Sequence, residues 1–275
     1  MKKILLSILV TMLGFDMQSM AQGDLLITPT RVVFEGYRQK EELNLVNMGK
    51  DTATYSISFV QKRMNEDGSF VLIDKPDSGQ FFADPYLRVF PRQVTLAPGE
   101  SQVIMLQCRH NTDMPAGEYR SHLFFRSEKD YKPAGLKNSG RDTTLVSVKL
   151  IPIFGMSIPV IIRMGEVSVT SNLSGLQLMI KQDTTQNLRF TINRTGNISI
   201  YGDIIIEFIP VQGKPYRIGS MAGIGVYTNI HKRNIVVKLK NIPGKALTNG
   251  TLKVQYVSNN EAKRVVYAEG ELVIQ

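Results

Sequence analysis

Short runs rich in Val, Ile, Phe and Thr recur along the chain between Gly, Pro, Asn and Asp residues, and almost no stretch has the 3.6-residue period of a helix. In residues 54–59, the side chains of Tyr55, Ile57 and Phe59 alternate with hydroxyl side chains. Successive side chains of a strand point to opposite faces, so this alternation predicts a strand with one face in a core and one in water. The chain as a whole is therefore predicted to be all-β.

The predicted strands form two series, each with about the strand number of an immunoglobulin-like sandwich. One continuous strand pattern ends and another begins between Arg163 and Glu166, so we place the domain boundary there. The expected domains are 22–164 and 165–275, each an immunoglobulin-like β-sandwich. The strands expected in the first are 25–27, 31–34, 41–46, 54–61, 94–96, 103–109, 117–126 and 145–163. Those expected in the second are 167–170, 175–182, 187–193, 202–210, 216–221, 234–239, 251–257 and 265–274.

Three glycine-containing segments are predicted to connect strands. Residues 65–68 (Asn-Glu-Asp-Gly) and 97–100 (Ala-Pro-Gly-Glu) have the composition of tight turns. Residues 219–225 (Gly-Ser-Met-Ala-Gly-Ile-Gly) lie among strand-like runs with no helix after them. A phosphate-binding loop needs a helix there, so we expect a plain loop.

The last strand predicted for the first domain, residues 145–163, is too long for a plain sandwich. Strands usually have about five or six residues, whereas this stretch has 19 and carries apolar side chains at both parities. Pro152 and Pro159 cannot donate to a β-ladder, which favours an edge position or a bend between sheets. Two interpretations stay open: two core strands divided at Gly155, or an exposed apolar edge with which a partner strand pairs. The polar segment 127–144 before it is predicted to be a mobile loop, either functional or merely tolerated.

The N-terminus has the pattern of a secretory signal peptide. Lys2 and Lys3 precede the apolar run 4–15, and small residues suit cleavage before Gln22. A membrane anchor is the alternative, but the apolar run has 12 residues, against the roughly 20 that a spanning helix needs. We therefore expect export, with residues 1–21 removed and no stable membrane insertion.

Charge and cysteine content narrow the picture further. The formal net charge of +9 becomes +8 without the leader, and the basic residues are spread along the chain rather than clustered. This distribution favours a generally basic surface, and no nucleic-acid partner is expected. Cys108 is the only cysteine, so an internal disulfide is impossible, and its apolar surroundings predict a buried, unreactive thiol.

The sequence contains no arrangement typical of a catalytic or metal site. His110, His122 and His231 lack further ligands at metal-binding spacing, and neither a nucleophile-elbow nor a phosphate-loop motif occurs. We therefore predict no metal, no cofactor and no enzymatic activity.

Five segments, taken in order and spacing, resemble the periplasmic pilus-assembly chaperones of the chaperone–usher pathway, the PapD-like group. The resemblance extends over most of the first domain. The segments are 30–36 (Thr-Arg-Val-Val-Phe-Glu-Gly), 43–47 (Leu-Asn-Leu-Val-Asn), 96–100 (Leu-Ala-Pro-Gly-Glu), 114–120 (Met-Pro-Ala-Gly-Glu-Tyr-Arg) leading into 123–125 (Leu-Phe-Phe), and 158–163.

This resemblance implies two immunoglobulin-like sandwiches in a boomerang arrangement, located in the periplasm after cleavage of the leader. Such chaperones cap incomplete pilus subunits by lending them the last strand of the first domain, which is β-augmentation. The lent side chains would be alternate residues on one face of the strand. Pro152 interrupts this series. The candidates are Val148, Leu150, Phe154, Met156 and Ile158.

The resemblance also implies an anchor for the subunit's C-terminal carboxylate. Arg31 matches the family's carboxylate-binding arginine, whose paired N–H donors suit both carboxylate oxygens. The lysine that accompanies it in the family is absent, because Pro159 stands in its place, unless Lys149 or another base substitutes. Arg163 matches a family arginine in an interdomain ion pair, and its acidic partner stays open because Arg120 stands roughly where a glutamate is expected.

Incomplete immunoglobulin-like pilus or surface subunits are thus the implied partners, with an outer-membrane usher as a further candidate. The alternative function is that of a structural or adhesive cell-surface protein whose sandwiches bind carbohydrate or matrix. The chain has no tryptophan, which weakens the case for a sugar-stacking site.

Overall fold

The structure is a computed structural model in which nearly every described segment is a β-strand. The predicted leader and the candidate strand residues Val148 and Leu150 lie outside the described residues, as do Lys149 and most of the segment 127–144. The described residues are 25–36, 38–109, 114–128, 154–180, 186–242, 247–259 and 264–275.

Nine strands build the first sandwich, and a short hairpin extends from it. One sheet has the order β1-β3-β9-β7 and the other β2-β11-β10-β4-β8, while β5 and β6 pair only with each other. A single turn of 3-10 helix, Asp84–Tyr86, precedes β7. The strands are β1 Leu25–Thr28, β2 Val32–Phe34, β3 Lys40–Asn47, β4 Ala53–Val60, β5 Lys62–Met64, β6 Phe70–Leu72, β7 Leu87–Phe90, β8 Gln93–Leu96, β9 Ser101–Cys108, β10 Gly117–Glu128 and β11 Gly155–Met164.

The two sheets of the first sandwich enclose one apolar core because inward side chains recur at every second position. In β4, Tyr55 and Ile57 are buried, as the alternation predicts. Ile104 and Leu106 of the opposite sheet belong to the same core cluster. Cys108 also lies in this core, where burial raises the pKa of its thiol to about 11, so the prediction of a buried thiol is confirmed.

The second sandwich packs a three-stranded sheet, β12-β13-β16, against a four-stranded sheet, β15-β14-β17-β18. Its separate core includes Phe190, Ile206, Val254 and Tyr256. The predicted all-β class with two sandwiches is therefore confirmed. The strands are β12 Val169–Ile180, β13 Gln186–Gly196, β14 Ile200–Pro210, β15 Tyr216–Val226, β16 Lys232–Lys238, β17 Gly250–Ser258 and β18 Val266–Ile274.

Glycine-containing segments of the second sandwich differ from expectation. Residues 219–225, expected to form a loop, lie within the continuous strand β15, whose pairing with β14 shifts register at two points. Where the two strands 167–170 and 175–182 were expected, the described residues Val169–Ile180 form the single strand β12, with a register shift next to Gly175, whose φ is +65°. A β-bulge absorbs one extra residue without ending the strand, and glycine accepts the positive φ that this requires.

Two of the five segments that carry the family resemblance contact each other at one end of the first sandwich. The buried Asn47 side chain donates to the carbonyls of Leu96 and Asp51 at 2.9 and 2.8 Å and accepts from the Gly49 amide at 2.9 Å. The Gly99 amide donates to the Asn47 carbonyl. Asn47 therefore joins the start of β4 to the turn after β8.

We predict that Asn47→Ala lowers the free energy of unfolding by about 2 kcal/mol, because it leaves buried carbonyl groups without their donor. Urea unfolding followed by circular dichroism measures the change. Asn44→Ala is the matched control, since Asn44 is an exposed asparagine on the same strand, and it should change stability by less than about 0.5 kcal/mol. Similar losses for both variants would contradict the assigned role of Asn47.

Candidate functional site

Strand β11 has one edge that its own sheet covers only in part. On one side, β11 pairs along its whole length with β10. On the other side, parallel β2 pairs only with Val160, Ile161 and Ile162. Within the described part of the chain, the preceding residues 155–159 have no strand on that side. Their backbone forms an open edge, of the kind that β-augmentation uses.

Along one face of β11 and the residue before it, the side chains are exposed at the N-terminal end and buried towards the C-terminal end. Phe154 and Met156 are 54% and 38% exposed, whereas Ile158 is 3% exposed and packs in the core of the first sandwich. Val160 and Ile162 continue the buried series. The candidate residues Phe154 and Met156 are therefore accessible beside the open edge, and Ile158 instead fixes the strand to its own domain.

Arg31 lies where the cover from β2 ends. It directly precedes Val32, which is in register with Val160 of β11, so Arg31 is level with Pro159. Its guanidinium stacks on the Tyr201 ring of the second sandwich at 4.7 Å from the centroid. Burial and the Arg120 charge lower the pKa of Arg31 to about 10, and the Glu118 charge offsets this only in part. Within the described residues, no carboxylate forms an ion pair with Arg31, so a partly buried cation faces the junction between the sandwiches.

Glu118 is the buried anion of this junction. It accepts from Arg120 Nη2 at 2.6 Å, from Ser199 Oγ at 2.7 Å and from the Ser199 amide at 2.9 Å. Burial alone would raise its pKa, but the Arg120 charge, the Ser199 hydrogen bonds and the Arg163 charge together lower it to about 2. A buried carboxylate is stable only when it is paired and hydrogen-bonded in this way. Since Ser199 belongs to the second sandwich, the pairing also joins the two domains.

Arg163 contributes to the same network from the end of β11. It contacts Glu118 at 3.4 Å and Glu35 at 2.5 Å, and it donates to the Ser199 carbonyl at 3.2 Å. Both acidic partners lie in the first sandwich, so the contact with the second is the hydrogen bond to a backbone carbonyl. The sequence did not identify the acidic partner of Arg163, because Arg120 stands near the position where a glutamate was expected. That partner is Glu118, two residues before Arg120 and on the same face of β10.

His122 extends the junction along β10. Its Nε2 lies 3.2 Å from the Tyr227 hydroxyl, and Arg120 stacks on the same Tyr227 ring at 3.7 Å. Burial, together with the charges of Arg120 and Lys62, lowers the pKa of His122 to about 3. The imidazole is therefore neutral at physiological pH, and its position among packed groups is structural.

The structure thus brings Arg31 and Arg163 to one junction, next to the strand that carries Phe154 and Met156. Sequence reasoning missed Ser199, Lys62 and the role of Glu118. Glu118 and Arg120 share a strand face at the i, i+2 spacing, a signal that was available. Ser199 is 81 residues from its partner, and no local pattern connects them.

No groups of three or more His, Cys, Asp or Glu side chains gather as metal ligands in the described ranges. In the same ranges, no helix has the length and hydrophobicity needed to cross a bilayer. What the junction offers chemically is a pair of neighbouring binding elements: a strand edge and a cation.

No protein-family model and no curated protein matches the chain. Several solved structures are similar to it at low identity. The YadV chaperone has a TM-score of 0.45 and 14% identity over 92% of this chain and 100% of that chain. The CupB2 chaperone of Pseudomonas aeruginosa has a TM-score of 0.43 and 12% identity over 91% of this chain and 100% of that chain. The CsuC–CsuE chaperone–tip adhesion subunit pre-assembly complex from Csu pili of Acinetobacter baumannii has a TM-score of 0.45 and 13% identity over 92% of this chain and 100% of that chain.

We predict that acidification from pH 6.5 to pH 5 destabilises the protein through His122, by up to about 1.4 kcal/mol per pH unit. The native imidazole stays neutral down to about pH 3, whereas the unfolded chain protonates it below about pH 6.5. The unfolded state therefore binds more protons in this window, and stability rises with pH across it. Urea unfolding of the wild type and His122→Gln at pH 7, 6 and 5 measures the effect. The variant should show a shallower slope, and equal slopes would contradict a neutral native histidine.

Proposed function

We propose that this chain is a divergent periplasmic chaperone that caps incomplete immunoglobulin-like pilus or surface subunits. It lends the edge of β11 to a subunit that lacks a strand and binds the subunit's C-terminal carboxylate with Arg31. The observation that carries the proposal is the position of Arg31. This cation has no ion-pair partner among the described residues and stands level with the point where β2 stops covering β11.

The open edge supplies the main part of the affinity in this proposal. No strand in the described ranges pairs with the outer edge of residues 155–159, so their outward backbone groups are open to a partner, except that Pro159 has no N–H. Phe154 and Met156 project from the same stretch and are more than a third exposed. A strand that pairs with this edge would satisfy its backbone groups and cover these apolar side chains at the same time.

The anchor sets the register of the lent strand. Strand pairing alone fixes register weakly when the edge residues are similar to one another. A terminal carboxylate held by the Arg31 guanidinium fixes one end of the client segment, and the client is then aligned along β11. Two aligned N–H donors match the two carboxylate oxygens, which favours a chain terminus over a single hydroxyl or carbonyl group.

The adhesive alternative requires exposed aromatic rings on which a sugar can stack. At the junction, the Tyr201 and Tyr227 rings are each stacked with a guanidinium group instead. The described contacts therefore favour the chaperone function over carbohydrate binding at this site. Export by way of the leader 1–21 and delivery to an outer-membrane usher belong to the same proposal.

We predict that Arg31→Ala weakens binding of a peptide with a free C-terminal carboxylate about tenfold or more, because it removes a charge-assisted pair. A fluorescein-labelled heptapeptide of alternating valine and threonine, with a free or amidated C-terminus, serves as the probe in anisotropy titrations. The amidated peptide should lose little affinity. Arg189→Ala, an exposed arginine of the second sandwich, is the control, and equal losses for the free and amidated peptides would remove the anchor role.

We predict that Phe154→Asp and Met156→Asp abolish capture of a subunit that lacks a strand, because a charge cannot enter the subunit's apolar groove. Co-expression with an incomplete immunoglobulin-like subunit from the source organism, followed by co-purification, measures a one-to-one complex. Both positions are exposed, so the unfolding midpoint should stay near that of the wild type. Val103→Asp, on an exposed position of the other sheet, should leave capture unchanged. Capture that survives both substitutions on β11 would contradict the lent-strand model.

A further inference from the structure

The β5–β6 hairpin leaves the first sandwich and docks on the second. Met64 is 2% exposed and packs in the core of the second sandwich. The Asn229 side chain donates to the Met64 carbonyl at 2.8 Å, and the Asn234 amide donates to the Glu66 carbonyl at 2.7 Å. At its base, the Ile73 amide donates to the Gln61 carbonyl. The hairpin is therefore held at both ends and has a fixed position beside the junction.

The outer strand of this hairpin is apolar and exposed. Phe70, Val71 and Leu72 are consecutive, and Leu72 is 69% exposed. In the part of the chain that the structure describes, β6 pairs only with β5, so its second edge is open. An exposed apolar edge strand favours aggregation unless another chain segment covers it.

Lys62 links the hairpin to the open stretch of β11. Its Nζ donates to Ser157 Oγ at 2.5 Å and lies 5.8 Å from the centroid of the Phe70 ring. Burial lowers the pKa of Lys62, and no carboxylate in the described ranges forms an ion pair with it. Lys62 is thus a second cation at the junction whose charge no described acid compensates.

Both cations lie beside the same short stretch of β11. Arg31 is level with Pro159 and Lys62 contacts Ser157, two residues along the same face of β11. Two residues of strand span about 7 Å. Glu118 already pairs with Arg120 and Arg163, whereas Arg31 and Lys62 form no ion pair with a described carboxylate.

We propose that the β5–β6 hairpin is the second wall of the client site, where Lys62 supplies the cation that Pro159 lacks and residues 70–72 cover the client's apolar side chains. The occupant is an extended chain end with alternating apolar side chains and a free carboxylate. Its charge matches the two cations, and its apolar side chains match β6, whose Phe70 ring lies beside Lys62. This inference rests on the proposed chaperone function.

The test uses the full mature chain and three labelled heptapeptides. The first alternates valine and threonine and ends in a carboxylate, the second is its C-terminal amide, and the third has serine at the valine positions. Lys62→Gln removes the charge and keeps a polar side chain, and Leu72→Ser removes an exposed apolar side chain. Lys214→Ala and Val211→Ser, at exposed positions of the second sandwich, are the matched controls.

Lys62→Gln should lower affinity for the carboxylate peptide about tenfold and leave the amide nearly unchanged. Leu72→Ser should lower affinity for the valine peptide about tenfold and leave the serine peptide unchanged. Suppose that both variants bind all three peptides like the wild type while Arg31→Ala no longer binds the carboxylate peptide. The proposal that the β5–β6 hairpin forms a wall of the client site is then overturned, and the proposed chaperone function stands. If the wild type binds neither valine peptide, both proposals are overturned.

Discussion

The buried carboxylate of Glu118 is the constraint on which the arrangement of the two sandwiches depends. An unpaired charge in that position would cost several kcal/mol, and the protein avoids this with two arginines of the first sandwich and a serine of the second. Because Ser199 supplies both its amide and its hydroxyl group, the second sandwich cannot move away without leaving the carboxylate underpaired. The domains are held by an electrostatic requirement as well as by apolar packing.

The same network explains which charges remain available. Arg120 and Arg163 are committed to Glu118, while Arg31 stacks on Tyr201 and Lys62 contacts Ser157. Arg31 and Lys62, which form no ion pair with a described carboxylate, therefore lie next to the uncovered stretch of β11. Under the proposed function, a client carboxylate would bind Arg31 and Lys62 without competing for the ion pairs that Arg120 and Arg163 form with Glu118.

Local pattern predicts much of the fold and little of the junction. The alternation at residues 54–59 correctly predicts β4, and the turn residues 65–68 and 97–100 form turns in which Gly68 and Gly99 have positive φ. The single strands β12 and β15 were not predicted, because their bulges depend on partner strands rather than on local sequence. Arg31 and Arg163 were found through the family resemblance. Ser199, Lys62 and the docking of Met64 depend on contacts between distant segments, which periodicity does not encode.

The hairpin that inserts Met64 into the core of the second sandwich has an evolutionary consequence. A two-domain protein whose domains meet only at their surfaces can exchange one domain for a relative's with small adjustments. Here the recess that receives Met64 and the hairpin that fills it are encoded more than 160 residues apart, so a substitution in one alters the fitness of substitutions in the other. We therefore expect the two sandwiches to be inherited as a matched pair, because recombination between them would separate the Met64 side chain from the core in which it packs.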